Sequence, residues 1–230
     1  MFYKRIRHIR GHGIHSPFVY NLITRVIEER RRYYSFDDIE LIRKQLFFNE
    51  GNIIKRKGIP PKHGALLFRL ANYFQPKNIL QIGATMGLST LYLTSYASGL
   101  NCISLENTPE YIPVSRWTYN KGAKNLIDVR EGDYNESLPQ ALEDIKQPDF
   151  IFFDLRDEQT ANLWLFNKCM EYIDDDTLMV FEGIRSNRRI REYWKQICLH
   201  PQTTIAIDLF SMGILFFNKK LHKHKYTVCF

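Results

Sequence analysis

From residue 61 onward, the hydrophobic positions of the chain follow two alternating patterns. Short apolar runs that end in small or acidic residues alternate with longer segments whose apolar positions recur at helical spacing. The predicted strands are 78–82, 101–105, 126–130, 149–154 and 177–182, and the predicted helices are 62–74, 87–97, 109–120, 135–143, 158–173 and 187–198. Strands that alternate with helices predict a parallel sheet with helices on both faces.

The pattern changes near the end of the chain. Two apolar runs, Thr203–Leu209 and Gly213–Asn218, are separated by the short link Phe210-Ser211-Met212, so we predict that they pair antiparallel. Tyr226–Phe230 is a candidate for one further strand. The predicted fold is α/β, with a doubly wound, mostly parallel sheet of seven strands that a C-terminal antiparallel hairpin completes.

About 60 residues precede this alternating region, and they carry the signals of two helices. Ser16-Pro17 predicts a helix start, with serine as the N-cap and proline at the first helical position. The spacing of Ser35 and Asp38 resembles a capping box that opens a second helix.

We divide the chain accordingly into a basic helical N-terminal appendage, residues 1–60, and a core, residues 61–230. The Gly-, Pro- and Lys-rich stretch 49–63 predicts a loop between them. We expect the appendage to pack over the carboxyl edge of the sheet, with this loop as a lid.

Composition indicates a folded chain, because 44% of the 230 residues are hydrophobic and 14% are aromatic. No apolar run approaches the roughly 20 residues of a membrane-spanning helix. The basic start is not followed by an apolar region, so we expect a cytoplasmic protein. The cysteines are far apart without CxxC spacing, and we expect reduced core thiols rather than a zinc site or disulfides. They are Cys102, Cys169, Cys198 and Cys229.

The net charge of +7 is concentrated rather than spread evenly. Residues 1–32 hold eight basic side chains against Glu28 and Glu29, and further basic clusters lie at 185–195 and 219–225. Such patches can bind RNA, phosphorylated substrates or anionic lipid, and they can equally be solvated faces that keep a protein dissolved. Charge alone leaves these partners open.

The stretch Ile79–Leu91 is the most informative for chemistry, because an apolar run ends at Gly83 and a helical run follows Gly87. This pattern predicts a strand, a tight glycine loop and a helix N-terminus, where a ligand can approach the backbone closely. Glu106 ends the next apolar run, nineteen residues after Gly87. An acid about 20 residues beyond such a loop binds a ribose hydroxyl in nucleotide-binding βαβ units.

The loop is not a dinucleotide fingerprint, because Thr85 stands where that fingerprint needs its middle glycine. A ligand with a ribose but no phosphates, such as S-adenosylmethionine, does not need that glycine. The segment resembles motif I of class I S-adenosylmethionine-dependent methyltransferases, and Ser89-Thr90 is typical of their O-methyltransferase-like branch. The resemblance implies a Rossmann-like core over roughly residues 62–218.

The resemblance also implies roles for residues at the carboxyl ends of successive strands. Glu106 would accept hydrogen bonds from the ribose, and Asp133 and Tyr134 match the positions that hold adenine. Asp154 lies where the family places the residue nearest the methyl donor, and it is the expected catalytic residue that removes or orients the acceptor proton. The expected cofactor-binding residues are Gly83, Ala84, Thr85, Gly87, Ser89, Glu106, Asn107, Asp133 and Tyr134.

A metal site is not expected from these motifs. The magnesium-dependent, catechol-type enzymes of this family place an Asp after the fourth strand and an Asp-Asn pair after the fifth. Asp154 matches the first position, but Glu182-Gly183 departs from the second because Gly183 has no side chain. Hard cations need several oxygen ligands, so catalysis is expected to proceed without a divalent metal.

The predicted function is S-adenosylmethionine-dependent methylation of an oxygen in a small or medium acceptor. Two alternatives stay open: an RNA methyltransferase whose basic appendage contacts phosphates, and a non-catalytic binding module with a methyltransferase fold. The stretch 12–18, His-Gly-Ile-His-Ser-Pro-Phe, also resembles a signature of bacterial methyltransferase-like proteins, mainly of the Bacteroidetes type. That resemblance does not supply an acceptor.

Overall fold

The computed structural model describes residues 9–50 and 57–230 of the chain. The strands in this part are β1 (Asn78–Ile82), β2 (Asn101–Glu106), β3 (Ile127–Glu131), β4 (Phe150–Asp154), β5 (Leu178–Glu182), β6 (Ile205–Asp208), β7 (Met212–Phe216) and β8 (His224–Thr227). They form one sheet in the order β3-β2-β1-β4-β5-β7-β6-β8. The first five strands are parallel, and β7 is antiparallel to both of its neighbours.

The helices of the described part lie on both faces of the sheet. They are α1 (Pro17–Leu22), α2 (Tyr34–Glu50), α3 (Pro61–Phe74), α4 (Leu88–Thr94), α5 (Ile112–Gly122), α6 (Tyr134–Ile145), α7 (Leu163–Met170) and α8 (Arg188–Cys198). A π-helical turn, Ile23–Ile27, continues α1. Short 3-10 turns occur at Ile9–Gly11, Pro109–Tyr111 and Glu158–Thr160. No helix of the described residues is long and apolar enough to cross a membrane.

Alternating strand residues supply two hydrophobic clusters, one on each face. Ile79 packs into the cluster that includes α1 to α4, while its neighbour Leu80 packs into the cluster formed with α6, α7 and α8. All five residues of β4, Phe150–Asp154, are buried. A central strand covered on both faces explains why this run is almost entirely apolar.

The antiparallel pairing of the C-terminal hairpin is confirmed, with Asp208 opposite Gly213. Within the described residues the sheet has eight strands rather than the seven expected, because β8 adds to the far side of β6 as a parallel neighbour. This strand begins at His224, two residues before the candidate segment Tyr226–Phe230. The predicted helix 158–173 is interrupted, since a 3-10 turn and a short extended link precede α7.

The first predicted helix start is confirmed, and the second is wrong. Ser16 caps α1, with its hydroxyl accepting a hydrogen bond from the backbone N–H of Val19. Helix α2 instead begins at Tyr34, so Ser35 lies inside its first turn, and the Ser35 hydroxyl has no hydrogen-bond partner among the described residues.

The helices of the appendage pack mainly against the helices on one face, not over the carboxyl edge. The π-helical turn contacts α3, and α2 contacts α4 and α5. Phe18 on α1 meets Phe216 edge-to-face at 4.9 Å between ring centroids. Because Phe216 pairs with Leu178, the first residue of β5, α1 lies near the amino ends of the parallel strands.

The stretch 49–63, predicted as a loop, includes the ends of two helices and a segment outside the described residues. Its first two residues end α2, its last three begin α3, and residues 51–56 lie outside the described part. Lys57 and Gly58 do reach the carboxyl edge, where both contact Arg156. Helix α3 ends shortly before β1 begins, so it runs back along the sheet and its first turn also lies at this edge.

Candidate active site

The loop after β1 adopts a backbone conformation that favours glycine at two positions. Gly83 has a φ of +85° and Gly87 a φ of +77°, both in the region that other residues rarely adopt. A Cβ at Gly83 would lie 3.2 Å from the Thr160 methyl carbon and 3.3 Å from the Asp154 Cβ. The backbone N–H groups of Gly83 and Ala84 donate to the Leu105 carbonyl, which fixes the loop against the end of β2.

Glu106 joins this loop to the end of β2. Its Oε2 accepts a hydrogen bond from the backbone N–H of Thr85 at 2.6 Å, and its Oε1 accepts one from Thr108 at 2.9 Å. Thr85 itself has a φ of +50°. The carboxyl group is buried, and burial raises its pKa, while the two backbone N–H groups counter part of that shift.

Ser89 is linked to the glycine loop through the side chain of Gln81. The Gln81 amide donates to the Ser89 hydroxyl at 2.8 Å and to the Gly83 carbonyl at 3.1 Å. Thr90 donates to the Gln81 side-chain oxygen at 2.8 Å. All of these side chains are buried, so Ser89 acts on the loop through Gln81.

The two residues expected at the adenine position, Asp133 and Tyr134, line one cavity with a third expected cofactor-binding residue, Asn107. Asn107, Asp133 and Tyr134 border a space of about 420 Å³ together with Gln159 and Arg189. The Tyr134 hydroxyl donates to Asp157 at 3.0 Å, and burial followed by the charges of Glu106 and Asp157 raises its pKa, so the phenol keeps its proton. The Asp133 side chain accepts from the Asn135 N–H and caps α6.

Asp154 is fully buried and accepts four hydrogen bonds. Its Oδ1 accepts from the Arg156 backbone N–H at 3.1 Å and from Arg156 Nε at 2.8 Å, and its Oδ2 accepts from Arg156 Nη2 at 2.5 Å and Thr85 Oγ1 at 3.1 Å. Arg156 Nη1 donates to the Gly58 carbonyl at 2.7 Å. The expected catalytic carboxylate is thus a buried ion-pair partner that joins the glycine loop to the segment before α3.

A second polar group at the same edge was not predicted from the sequence. Glu182, the last residue of β5, places its Oε1 2.8 Å from His63 Nδ1, and His63 Nε2 lies 3.1 Å from the Ser211 hydroxyl. In the sequence, Glu182 is 119 positions and Ser211 is 148 positions from His63. No local pattern indicates this contact, because only the fold brings the first turn of α3 to the ends of β5 and β7.

A metal centre is not formed by these carboxylates. No group of three or more His, Cys, Asp or Glu side chains among residues 9–50 and 57–230 is arranged to hold a metal ion. Asp154 is paired with Arg156, and Glu182 is bonded to His63. Gly183 follows Glu182 with a φ of +81° and has no side chain to act as a ligand.

The strand order and the reversed β7 form a Rossmann-like sheet, and the whole fold is similar to that of solved O-methyltransferases of class I. Residues 80–184 match the family model of a methyltransferase domain. This match covers the glycine loop, the strand-end acids Glu106, Asp154 and Glu182, and Tyr134 at the start of α6.

Individual relatives agree with this fold. A catechol O-methyltransferase from Niastella koreensis is 31% identical over 111 residues, which span 45% of this chain and 50% of that protein. The chain therefore matches about half the length of this curated relative. The O-methyltransferase from Bacillus cereus in complex with SAH is 20% identical, with a TM-score of 0.63 over 86% of this chain and 97% of that one. SAH-bound PaMTH1 from Podospora anserina is 15% identical, with a TM-score of 0.65 over 88% and 96%.

Proposed function

We propose that this chain is an S-adenosylmethionine-dependent O-methyltransferase that acts on a small or medium acceptor. The observation that carries the proposal is the contact between Glu106 and the glycine loop. Glu106, a buried carboxylate at the end of β2, accepts a hydrogen bond from the backbone N–H of Thr85. Thr85 lies in a loop without the glycine that a pyrophosphate requires. This arrangement suits a ribose without phosphates.

The residues present fit such a cofactor. A carboxylate offers about four lone-pair positions, and the N–H groups of Thr85 and Thr108 use two of them on Glu106. The remaining positions can accept from two ribose hydroxyls. The cavity beside Tyr134 and Asn107 has room for an aromatic base, and Gly83 leaves the strand end free of a side chain.

Each residue has a distinct role in the proposal. Glu106 binds the ribose, the backbone of Gly83 to Gly87 borders the amino-acid end, and Asn107, Asp133 and Tyr134 border the base. When bound, S-adenosylmethionine supplies a methyl group on a positively charged sulfur. Asp154 would lose an ion pair and several hydrogen bonds if it took a proton, so we assign it to positioning Thr85 and Arg156 rather than to proton transfer.

The acceptor is proposed to present a hydroxyl group. Catechol is the first acceptor to test, because a relative at 31% identity is a catechol O-methyltransferase. Holding donor and acceptor in line can contribute roughly 7–11 kcal/mol to lowering the barrier. Because Arg156 occupies the Asp154 carboxylate, we propose that transfer does not require a divalent metal.

Calorimetry and a methyl-transfer assay test the proposal. S-adenosylhomocysteine is expected to bind the full chain, and NAD is not. Labelled methyl groups are expected to reach catechol or a related phenol equally in EDTA and in magnesium. Preferential binding of NAD would contradict the cofactor assignment. Transfer that occurs only to nuclease-sensitive material would replace the small acceptor with RNA.

A further inference from the structure

Two side chains from separate elements converge on the His63 imidazole at the carboxyl edge. Glu182 ends β5, His63 lies in the first turn of α3, and Ser211 lies between β6 and β7. The distances are 2.8 Å from Glu182 Oε1 to His63 Nδ1 and 3.1 Å from His63 Nε2 to Ser211 Oγ. The proposed binding of the cofactor uses none of these residues.

The hydrogen bonds determine which nitrogen of His63 can accept a proton. A carboxylate only accepts, so Nδ1 carries the hydrogen that it donates to Glu182. In the neutral ring, Nε2 then has a free lone pair and accepts from the Ser211 hydroxyl. A hydroxyl thus already occupies the position from which an acceptor alcohol would donate its proton.

One negative and two positive side chains surround His63: Glu182 contacts the ring, and Arg156 and Lys62 are the nearby cations. The Oε2 atom of Glu182 is buried and has no hydrogen-bond partner among the described residues. Arg156, on the turn after β4, interacts electrostatically with the same carboxylate. Lys62 precedes His63 on α3, with its Nζ 4.4 Å from the centre of the Phe230 ring, whose centroid is 6.0 Å from that of the imidazole.

The position of this group relative to Asp154 places it on the acceptor side. Asp154 and Glu182 are paired residues on the adjacent parallel strands β4 and β5, one strand spacing apart. Gly183 adds no side chain, and a Cβ there would lie 3.0 Å from Arg156 Cγ. Glu106 and the glycine loop lie on the other side of Asp154, so His63 lies beyond Asp154, the residue expected nearest the methyl donor, as seen from the proposed ribose contact.

We propose that His63 is the general base of methyl transfer, an inference that rests on the proposed function. The acceptor hydroxyl gives its proton to His63 Nε2 while its oxygen forms a bond to the methyl carbon. The carbon–sulfur bond breaks, and its electron pair stays on sulfur, so the positive sulfur becomes a neutral thioether. Glu182 stabilises the imidazolium, which releases its proton to water after the product leaves. No metal or second co-substrate is needed for this balance.

The protonation state of His63 can be measured without turnover. Long-range ¹H–¹⁵N correlation spectra of the full chain are expected to show that the neutral form of the His63 ring carries its hydrogen on Nδ1. Glu182→Ala is expected to increase the form with hydrogen on Nε2. A neutral wild-type ring that carries its hydrogen on Nε2 would overturn the proposal, because that nitrogen could not accept a proton.

Kinetics with catechol as the acceptor separate a catalytic role from a structural one. His63→Gln is expected to lower kcat by about 10²- to 10⁴-fold, the usual contribution of a positioned base, and to leave the Kd for S-adenosylhomocysteine within twofold. Wild-type kcat is expected to fall as the pH is lowered, since a protonated ring cannot accept, and the variant is expected to lose this dependence. His224→Gln, at an exposed position on β8, is the matched control and should match wild type.

Two further variants test the pair around the ring. Glu182→Gln keeps an oxygen for Nδ1–H but removes the negative charge, so kcat should fall less than in His63→Gln. Ser211→Ala should keep kcat within about fivefold, because the acceptor hydroxyl replaces the serine at Nε2. The proposal is overturned if His63→Gln retains wild-type kcat, or if it loses S-adenosylhomocysteine binding together with activity, which would mark a structural residue.

The two proposals fail in distinguishable ways. If the wild-type chain neither binds S-adenosylhomocysteine nor transfers methyl groups, the proposed function is wrong. If it binds and transfers, but His63→Gln is unimpaired, only the assignment of the base is wrong.

Discussion

Replacing Glu106 by Ala separates the two roles that the structure gives this carboxylate. The change removes the acceptor of the Thr85 and Thr108 backbone N–H groups at a site that is 2% exposed. Each unpaired buried N–H costs about 1–3 kcal/mol. Burial raises the pKa of Glu106, so removing the buried charge offsets part of that loss. We expect the free energy of unfolding to fall by about 1–3 kcal/mol in urea denaturation.

The same substitution is expected to weaken cofactor binding. Hydrogen bonds from ribose hydroxyls to a charged acceptor are worth about 1.5–3 kcal/mol, so the Kd for S-adenosylhomocysteine should rise roughly tenfold to a hundredfold. Calorimetry on the folded variant measures this rise. Glu106→Gln keeps one side-chain oxygen and provides a second folded variant for the same measurement.

Glu131 offers a matched control on the neighbouring strand. It lies opposite Glu106 in the β2–β3 register, is exposed, and forms an ion pair with Arg116. Exposed pairs contribute about 0–1 kcal/mol, so Glu131→Ala should change neither stability nor affinity appreciably. An unchanged affinity in Glu106→Ala would refute the proposed ribose contact. An unchanged unfolding free energy would refute the energetic role of the two backbone hydrogen bonds.

Two other predictions concern packing and pH. Gly64→Ala should lower the free energy of unfolding, because the new Cβ would lie 2.4 Å from the buried Tyr92 ring. Overpacking costs typically 1–3 kcal/mol, against a gain of about 1 kcal/mol in helix propensity. A variant that is more stable in urea denaturation would contradict this. Affinity for S-adenosylhomocysteine should fall as the pH is lowered through the raised pKa of Glu106, because the protonated carboxyl is a poorer acceptor. Calorimetry across acidic pH should find this dependence in wild type and not in Glu106→Gln, and a dependence that persists in the variant would assign it to another group.

Local sequence patterns predict the glycine loop and the position of Glu106, because each depends on a short stretch of chain. Gly83 and Gly87 mark a turn that needs positive φ angles, and Glu106 ends the next apolar run, so both the loop and the position of the acid follow from short stretches of chain. The bounds of the five parallel strands are accurate to within one residue for the same reason, since period and glycine placement act over a few residues.

Contacts that depend on tertiary packing are not visible in such patterns. His63 reads as an ordinary residue in the first turn of a helix, and its role depends on α3 running back to the carboxyl edge. Arg156 follows Asp154 by two residues, yet no spacing rule shows that its guanidinium turns back onto that carboxylate. Ser35 misled the prediction because a capping-box spacing is a weak signal when the chain can begin the helix one residue earlier.

The added strand β8 has a consequence for how copies of this chain behave at high concentration. It covers the outer side of β6, whose four residues are all buried and which would otherwise present an unpaired backbone to other molecules. The new border is only four residues long, with His224 and Lys225 exposed. At the opposite border, β3 carries Asp128 and Arg130. A short strand at one border and charged side chains at both oppose strand addition, so we expect this sheet to be a poor template for another copy of the chain.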